Sequence, residues 1–213
     1  MKYIVKNSEP SEFREWKEEW RNNGVEPGWG EFDGKPIKQT VKRSLLAEQG
    51  YICCFCEIDV DENNGHIAHL LDQVGHPDLV LKYDNLLYSC AEQPKSEPQT
   101  CGHAQKRSLL KVSPLDSDCE DRFLYTLNGK IHPRKADDAD AAETIQILHL
   151  NAKRLVESRE QAFQEVFEKR SERQPDDFRN WIDTELKQID GRFTGFWTVK
   201  KYASTMPLYQ QTR

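Results

Sequence analysis

Apolar positions recur at helical spacing near the start of the chain. In "SEPSEFREWKEEWRNN", Phe13, Trp16 and Trp20 fall on one face, Ser11 is the expected N-cap, and the helix should stop before Gly24. A Gly/Pro-rich loop, "EPGWGEFDGKP", follows. A second helix is expected from Pro36 to Glu48, with Ile37, Val41 and Leu45 as its stripe and Gly50 as its stop. Further on, "FLYTLNGKIHPR" reads as a β-hairpin with Asn128-Gly129 as a type I′ turn. The acidic "DDAD" then precedes a long amphipathic helix over 141–170, whose apolar positions include Ile145, Leu148, Ala152, Leu155, Val156, Phe163, Val166 and Phe167. Another helix is expected around 175–189. The last stretch is aromatic-rich, with a polar end expected to fray.

Between these flanks, residues 51–112 follow neither period and are rich in cysteine and histidine. The chain thus divides into an N-terminal helical segment (1–50), a central unit closed by the hairpin (51–135) and a helical C-terminal region (136–213). The fold class expected is α+β, mostly helical. Its 213 residues are ample for a core. Nine Phe, seven Tyr and five Trp argue against disorder despite 31% charged residues. "MKYIVKNSEP" lacks the apolar segment of a secretory signal, and no apolar run approaches the ~18 residues of a spanning helix. A soluble, cytoplasmic protein without membrane contact is expected. The net charge of −6 argues against a broad phosphate-binding face.

Six cysteines in such a chain read as metal ligands or buried thiols rather than disulfides. Cys53 and Cys56 in "YICCFCE" have the C-x-x-C spacing that lets two thiolates share one tetrahedral zinc. Cys90 and Cys101 are the natural second pair, with the polar "AEQPKSEPQT" looping out between them. Cys54 offers a rarer C-x-C alternative, and Cys119 reads as a free thiol. A thiol redox protein is disfavoured, because no βαβ pattern accompanies the C-x-x-C.

The same centre holds "HIAH" on a strand-like stretch, a loop ending in Asn85, and the helix-compatible "CGHAQKRSLLK". A strand, a loop and a helix around one ion suit phosphodiester hydrolysis. A neutral imidazole takes a proton from water, a second imidazole holds a divalent cation, and an asparagine fixes the loop and orients the base through its carbonyl. Lys106, Arg107 and Lys111 lie beside His103. On a helix, positions 103, 107 and 111 align, giving one face that can approach a nucleic-acid backbone.

On "EQGYICCFCE", "HIAHLLDQ", "HPDLVLKYDNLLYSC" and "CGHAQK", with a weaker match in "MKYIVKNSEP", the chain resembles the HNH endonucleases, and more closely the Septu-type nuclease subunits (PtuB-like) with their retron-associated relatives. The resemblance covers roughly residues 1–112. It implies a zinc-stapled ββα-metal core, with His69 as general base, Asn85 as the central asparagine, His103 as the ligand of a catalytic Mg²⁺ or Mn²⁺, and Cys53, Cys56, Cys90 and Cys101 as structural zinc ligands. A nuclease acting on DNA, with RNA as the other substrate class, is implied. So are an ATPase partner (PtuA-like) and a role in anti-phage defence.

One residue departs from the pattern. Where the family has an acidic residue just before the base histidine, this chain has Ala68, which offers no oxygen to a cation. Either the position has been changed to alanine to inactivate the site, or another carboxylate, Asp72 or Asp84, serves instead. His66 shares a strand face with Ala68 and is expected to support the site by hydrogen bonding; His76, His132 and His149 read as loop or structural residues. The alternative function is a non-catalytic zinc-stapled module that docks an ATPase through the C-terminal half, with Phe193, Phe196 and Trp197 as candidate contacts.

Overall fold

Eight α-helices and two small antiparallel sheets build the described part of the chain, residues 1–91 and 93–207 of the computed structural model. The fold is α+β and mostly helical, as the patterning predicts. Helix α1 (Ser11–Asn22) buries Phe13 against Phe32, which comes from α2 (Trp29–Phe32), a single turn inside the expected loop. Ser11 is the first helical residue rather than the cap; Pro10 holds the cap position and accepts from the Phe13 and Arg14 amides. Helix α3 (Pro36–Gln49) ends on Gly50, whose left-handed φ of 64° makes the stop. A Cβ there would lie 2.3 Å from the Phe193 ring, so glycine also permits that close contact.

Strands β1 (Gly65–His69) and β2 (Leu86–Cys90) pair antiparallel, with His66 opposite Ser89, Ala68 opposite Leu87 and His69 opposite Leu86. The short helix α4 (Cys101–Gln105) packs against both strands. It ends sooner than expected, since Lys106 takes a φ of 51°, outside the helical range. His103, Arg107 and Lys111 therefore do not share one helical face, and the alignment expected of positions 103, 107 and 111 is not formed.

The hairpin of β3 (Phe123–Tyr125) and β4 (Ile131–Pro133) is present, but its turn is not type I′. Only Gly129 has positive φ, at 73°, whereas a type I′ turn needs it at both central residues. The Gly129 amide bonds the Thr126 carbonyl (2.8 Å), and Thr126 N bonds Lys130 O (2.9 Å).

The single helix expected over 141–170 is two. Helix α5 (Ala139–Ile147), capped by the Asp138 carboxylate, and α6 (Lys153–Ser171) flank a break where His149 adopts a φ of 49°. Tertiary bonds compete with the helix here: Leu148 O accepts from Cys101 N (2.9 Å), His149 Nδ1 donates to Gln99 O (2.8 Å), and the Asn151 amide bonds both backbone groups of Ile131. Helix α7 (Pro175–Glu185) stops short of the predicted end, and α8 (Trp197–Thr205) occupies the aromatic stretch. The expected polar end lies, from residue 208 on, outside the described residues. Phe193 and Trp197 stack edge to face (6.0 Å), Trp197 Nε1 donates to Leu186 O (2.8 Å), and Phe196 packs on the core. Among the described residues, no helix is long and apolar enough to cross a membrane.

Candidate metal centre and histidine site

The turn after α3 brings Cys53 and Cys56 beneath the end of β2. Cys53 N bonds Ile58 O (2.8 Å) and Glu57 N bonds Cys53 O (3.0 Å), with Glu57 in the left-handed region (φ 64°) to close the turn. Cys90 ends β2 and Cys101 begins α4. The four sulfurs of Cys53, Cys56, Cys90 and Cys101 lie within 4.8 Å of one another, a spacing that fits a tetrahedral zinc at ~2.3 Å from each. Cys53 Sγ also accepts from the Cys90 amide (3.3 Å). Burial works against a Cys53 thiolate, but hydrogen bonds from Cys101, Cys54, Cys56 and Cys90 outweigh it and hold this thiol well below its ordinary pKa. For Cys56 and Cys101, burial dominates and drives the pKa up. Zinc binding would displace the protons these thiols carry. Cys54, adjacent in sequence, is not in the group. Cys119 is buried and unpaired with any sulfur among the described residues; its Sγ donates to Met1 O (3.7 Å).

Alternation along β1 sends His66 and Ala68 to one face and His69 to the other. On its face, His69 meets Trp29 edge-on (ring centroids 4.7 Å). A carbonyl can only accept, so His69 Nε2 donates to Val80 O (3.0 Å), which fixes the tautomer and leaves the lone pair on Nδ1. That nitrogen faces the Gln73 amide at 3.3 Å. Burial lowers the His69 pKa, with the Val80 carbonyl opposing, which favours the neutral ring.

Asn85 clamps the intervening loop. Its Oδ1 accepts from Leu71 N (2.8 Å), while Nδ2 donates to Leu71 O (3.0 Å) and Leu79 O (3.1 Å). From α4, Gln105 adds a bond to Leu70 O (2.9 Å). Asn85 fixes the loop as expected; among the described hydrogen bonds, however, the Val80 carbonyl and not Asn85 orients His69.

On the opposite face the rings of His66 and His103 lie 3.8 Å apart. His66 Nδ1 donates to Cys90 O (3.0 Å). Burial, and then the charge of His103, pushes the His66 pKa down to about 4. Position 68 is on this face, so a carboxylate there would stand beside the imidazole pair; alanine leaves none. Asp72 spends its Oδ1 on the Val74 and Gly75 amides (3.0 and 2.9 Å), and Asp84 is exposed. Among the described residues, the four cysteines form the only group of three or more His, Cys, Asp or Glu side chains able to hold a metal. A hard cation such as Mg²⁺, which takes oxygen ligands, does not fit the histidine face as it stands. Sequence reasoning missed Trp29, Val80 and Gly102. A backbone carbonyl carries no signal in sequence, and Trp29 lies in a Gly/Pro-rich loop that no periodicity marks.

Two curated proteins resemble the chain. "Retron Vc95 putative HNH endonuclease" of Vibrio cholerae serotype O1 biovar El Tor is 28% identical over 126 residues, covering 56% of this chain and 61% of that protein. "Septu protein PtuB" of Bacillus thuringiensis is 30% identical over 122 residues, covering 55% of this chain and 42% of that protein. The chain thus spans less than two thirds of either relative. No protein-family profile matches it.

Proposed function

We propose, for a chain whose two curated relatives support an HNH/PtuB-like family, a nuclease frame in which the general-base half is intact and the cation half is incomplete. The observation that carries this reading is the setting of His69: its Nε2–H is held by Val80 O, and its Nδ1 lone pair faces only the Gln73 amide among the described residues. Such a ring takes a proton from water as that water attacks a phosphodiester. Asn85 holds the loop that supplies Val80, and Trp29 limits the tilt of the imidazole. A divalent cation in an HNH site stabilises charge on the scissile phosphate, and Ala68 supplies no carboxylate to help seat it. DNA is the substrate class we favour, with Lys106, Arg107 and Lys111 as backbone contacts reached from separate positions after α4. An ATPase (PtuA-like) partner and anti-phage defence belong to the same reading, which the Septu and retron names of the relatives support; a cytoplasmic setting is part of the proposal alone.

Cleavage of DNA by Ala68→Glu or Ala68→Asp in Mg²⁺ or Mn²⁺, with an ATPase partner present, is the deciding assay. Activity in either variant supports the frame, and inactivity of both in a folded, zinc-loaded protein rejects it. Ala68 also favours a second reading, a zinc-stapled module without catalysis that docks an ATPase; function surviving His69→Ala would select it. Phe193, Phe196 and Trp197 are half-buried in contacts within the chain, so docking there would use only their exposed edges.

A further inference from the structure

Away from the cysteine and histidine centre, the C-terminal helices enclose a groove of about 420 Å³ whose lining is basic in an acidic chain. Arg170 leaves the last turn of α6, Arg173 the connection that follows, and Arg179 the second turn of α7. Pro175 and Ser204 complete the lining, over a floor of buried Phe178 and Ile182. Among the described residues, no carboxylate lines the groove.

Two of the guanidinium groups are held by aromatic rings. Arg170 lies over the Phe178 ring (5.5 Å to the centroid) and donates to Met206 O at the end of α8. Arg173 lies over the Trp181 ring (5.6 Å) and donates to Lys169 O (3.3 Å). Phe178 and Trp181 stand three apart on α7 with ring centroids 5.8 Å apart, so one helix face supplies both rings. A guanidinium stacked in this way keeps N–H groups for a partner in its own plane and has already given up much of its freedom. The carboxylates within reach compete weakly: Glu172 is 3.7 Å from Arg173 and Asp176 is 3.3 Å from Arg179, and both acids are exposed.

We propose that this groove binds a carboxylate-bearing segment of a partner protein, with Asp or Glu side chains on the arginines and an apolar residue seated toward Phe178 and Ile182. Charge complementarity names this occupant, since a carboxylate matches the planar fork of arginine bidentately. A nucleic-acid strand also offers anions, but its charge runs on past the groove. Outside the three arginines, residues 168–187 carry six acidic and two basic side chains, which repel a long polyanion. A short acidic segment meets the arginines alone. Residues 208–213, which lie outside the described residues, carry no acidic side chain and so do not match. None of Phe193, Phe196 and Trp197 lines the groove, so this is a different docking face from the one those residues offer. It stands whether or not the chain cuts DNA.

Panning a phage-displayed library of random twelve-residue peptides on the full, zinc-loaded chain tests this. Enriched peptides should carry Asp or Glu beside Leu, Phe or Trp, and a synthetic peptide so selected should bind more weakly as salt rises. The double variant Arg170→Glu/Arg173→Glu should weaken that peptide by at least about tenfold, as should exchange of its acids for amides. Because Arg170 also ties α6 to α8, Arg179→Glu, at a side chain 71% exposed, serves as a second variant and should weaken binding about threefold. Enrichment of peptides without acidic residues, or binding indifferent to both variants, overturns the proposal. So does displacement of the peptide by an equal concentration of a twelve-nucleotide single-stranded DNA, which would make the groove a phosphate site. Displacement by a synthetic peptide of residues 206–213 would likewise overturn it, by assigning the groove to the chain itself.

Discussion

Arg159 and Glu57 line one small cavity beside Cys56, yet the guanidinium binds only carbonyl oxygens, those of Leu155 (3.0 Å) and Leu150. Glu57 is already paired with the Met1 amine (2.9 Å), so Arg159, 4% exposed, has no carboxylate within ion-pair distance among the described residues. A zinc bound by four thiolates carries net negative charge, and a buried cation next to it offsets the cost of burial for both. Arg159→Met should speed zinc loss to a colorimetric chelator by about tenfold, with Arg159→Lys in between. Equal rates in all three would reduce Arg159 to packing.

The four-cysteine cluster joins the turn after α3, the end of β2 and the start of α4. Metal removal should therefore unfold the centre, lowering the melting temperature by more than ~10 °C, and Cys101→Ser should do the same. Cys54→Ser should leave zinc stoichiometry at one in elemental analysis, since Cys54 stands outside the cluster.

Asn85 spends its whole amide on backbone groups of Leu71 and Leu79. Asn85→Ala strands those groups in a buried setting and should cost ~2–4 kcal/mol in denaturant unfolding. Release of the loop should also move the ring resonances of His69. A shift in stability without a change at His69 would uncouple clamp from base.

Asp138 caps α5 and accepts two bonds from Arg122 (2.6 and 2.7 Å). The Arg122 bonds, ahead of the helix amide, hold its pKa down to about 2 from the ordinary 3.8. The folded protein thus prefers the carboxylate, and the stabilisation is present above the ordinary value and lost as pH falls toward 2. Solvent reaches this pair, so its worth is no more than ~1 kcal/mol. Asp138→Asn should lie below the parent in stability at neutral pH, and the gap should close between about pH 4 and pH 2. A constant gap would assign the loss to something other than charge.

Much of this architecture is legible in the residues. Helix α3 and its Gly50 stop and the four cysteines follow from spacing and local chemistry, which a linear pattern records. The departures arise where distant backbone competes with local preference. The Cys101 amide takes the Leu148 carbonyl and breaks the long C-terminal helix; the turn at Lys106 ends α4 after Gln105. Strand alternation foretold that His66 and Ala68 share a face. That α4 would bring His103 to this face depends on Gly102 meeting β1, a contact between elements that periodicity does not encode.

Glu57 has one more consequence. Its carboxylate accepts from the Thr198 amide (2.8 Å) and hydroxyl (2.5 Å), and its carbonyl from the Phe196 amide (2.8 Å), so the turn between the first ligands and the next strand also seats the start of α8. Residues 141 apart in sequence answer to one another. By thermodynamic reciprocity, a partner that binds the last helix more tightly when the cysteines hold their ion raises the affinity of the cysteines for that ion by the same factor. An equilibrium metal titration with and without such a partner would therefore read, at the cysteines, an event at the last helix.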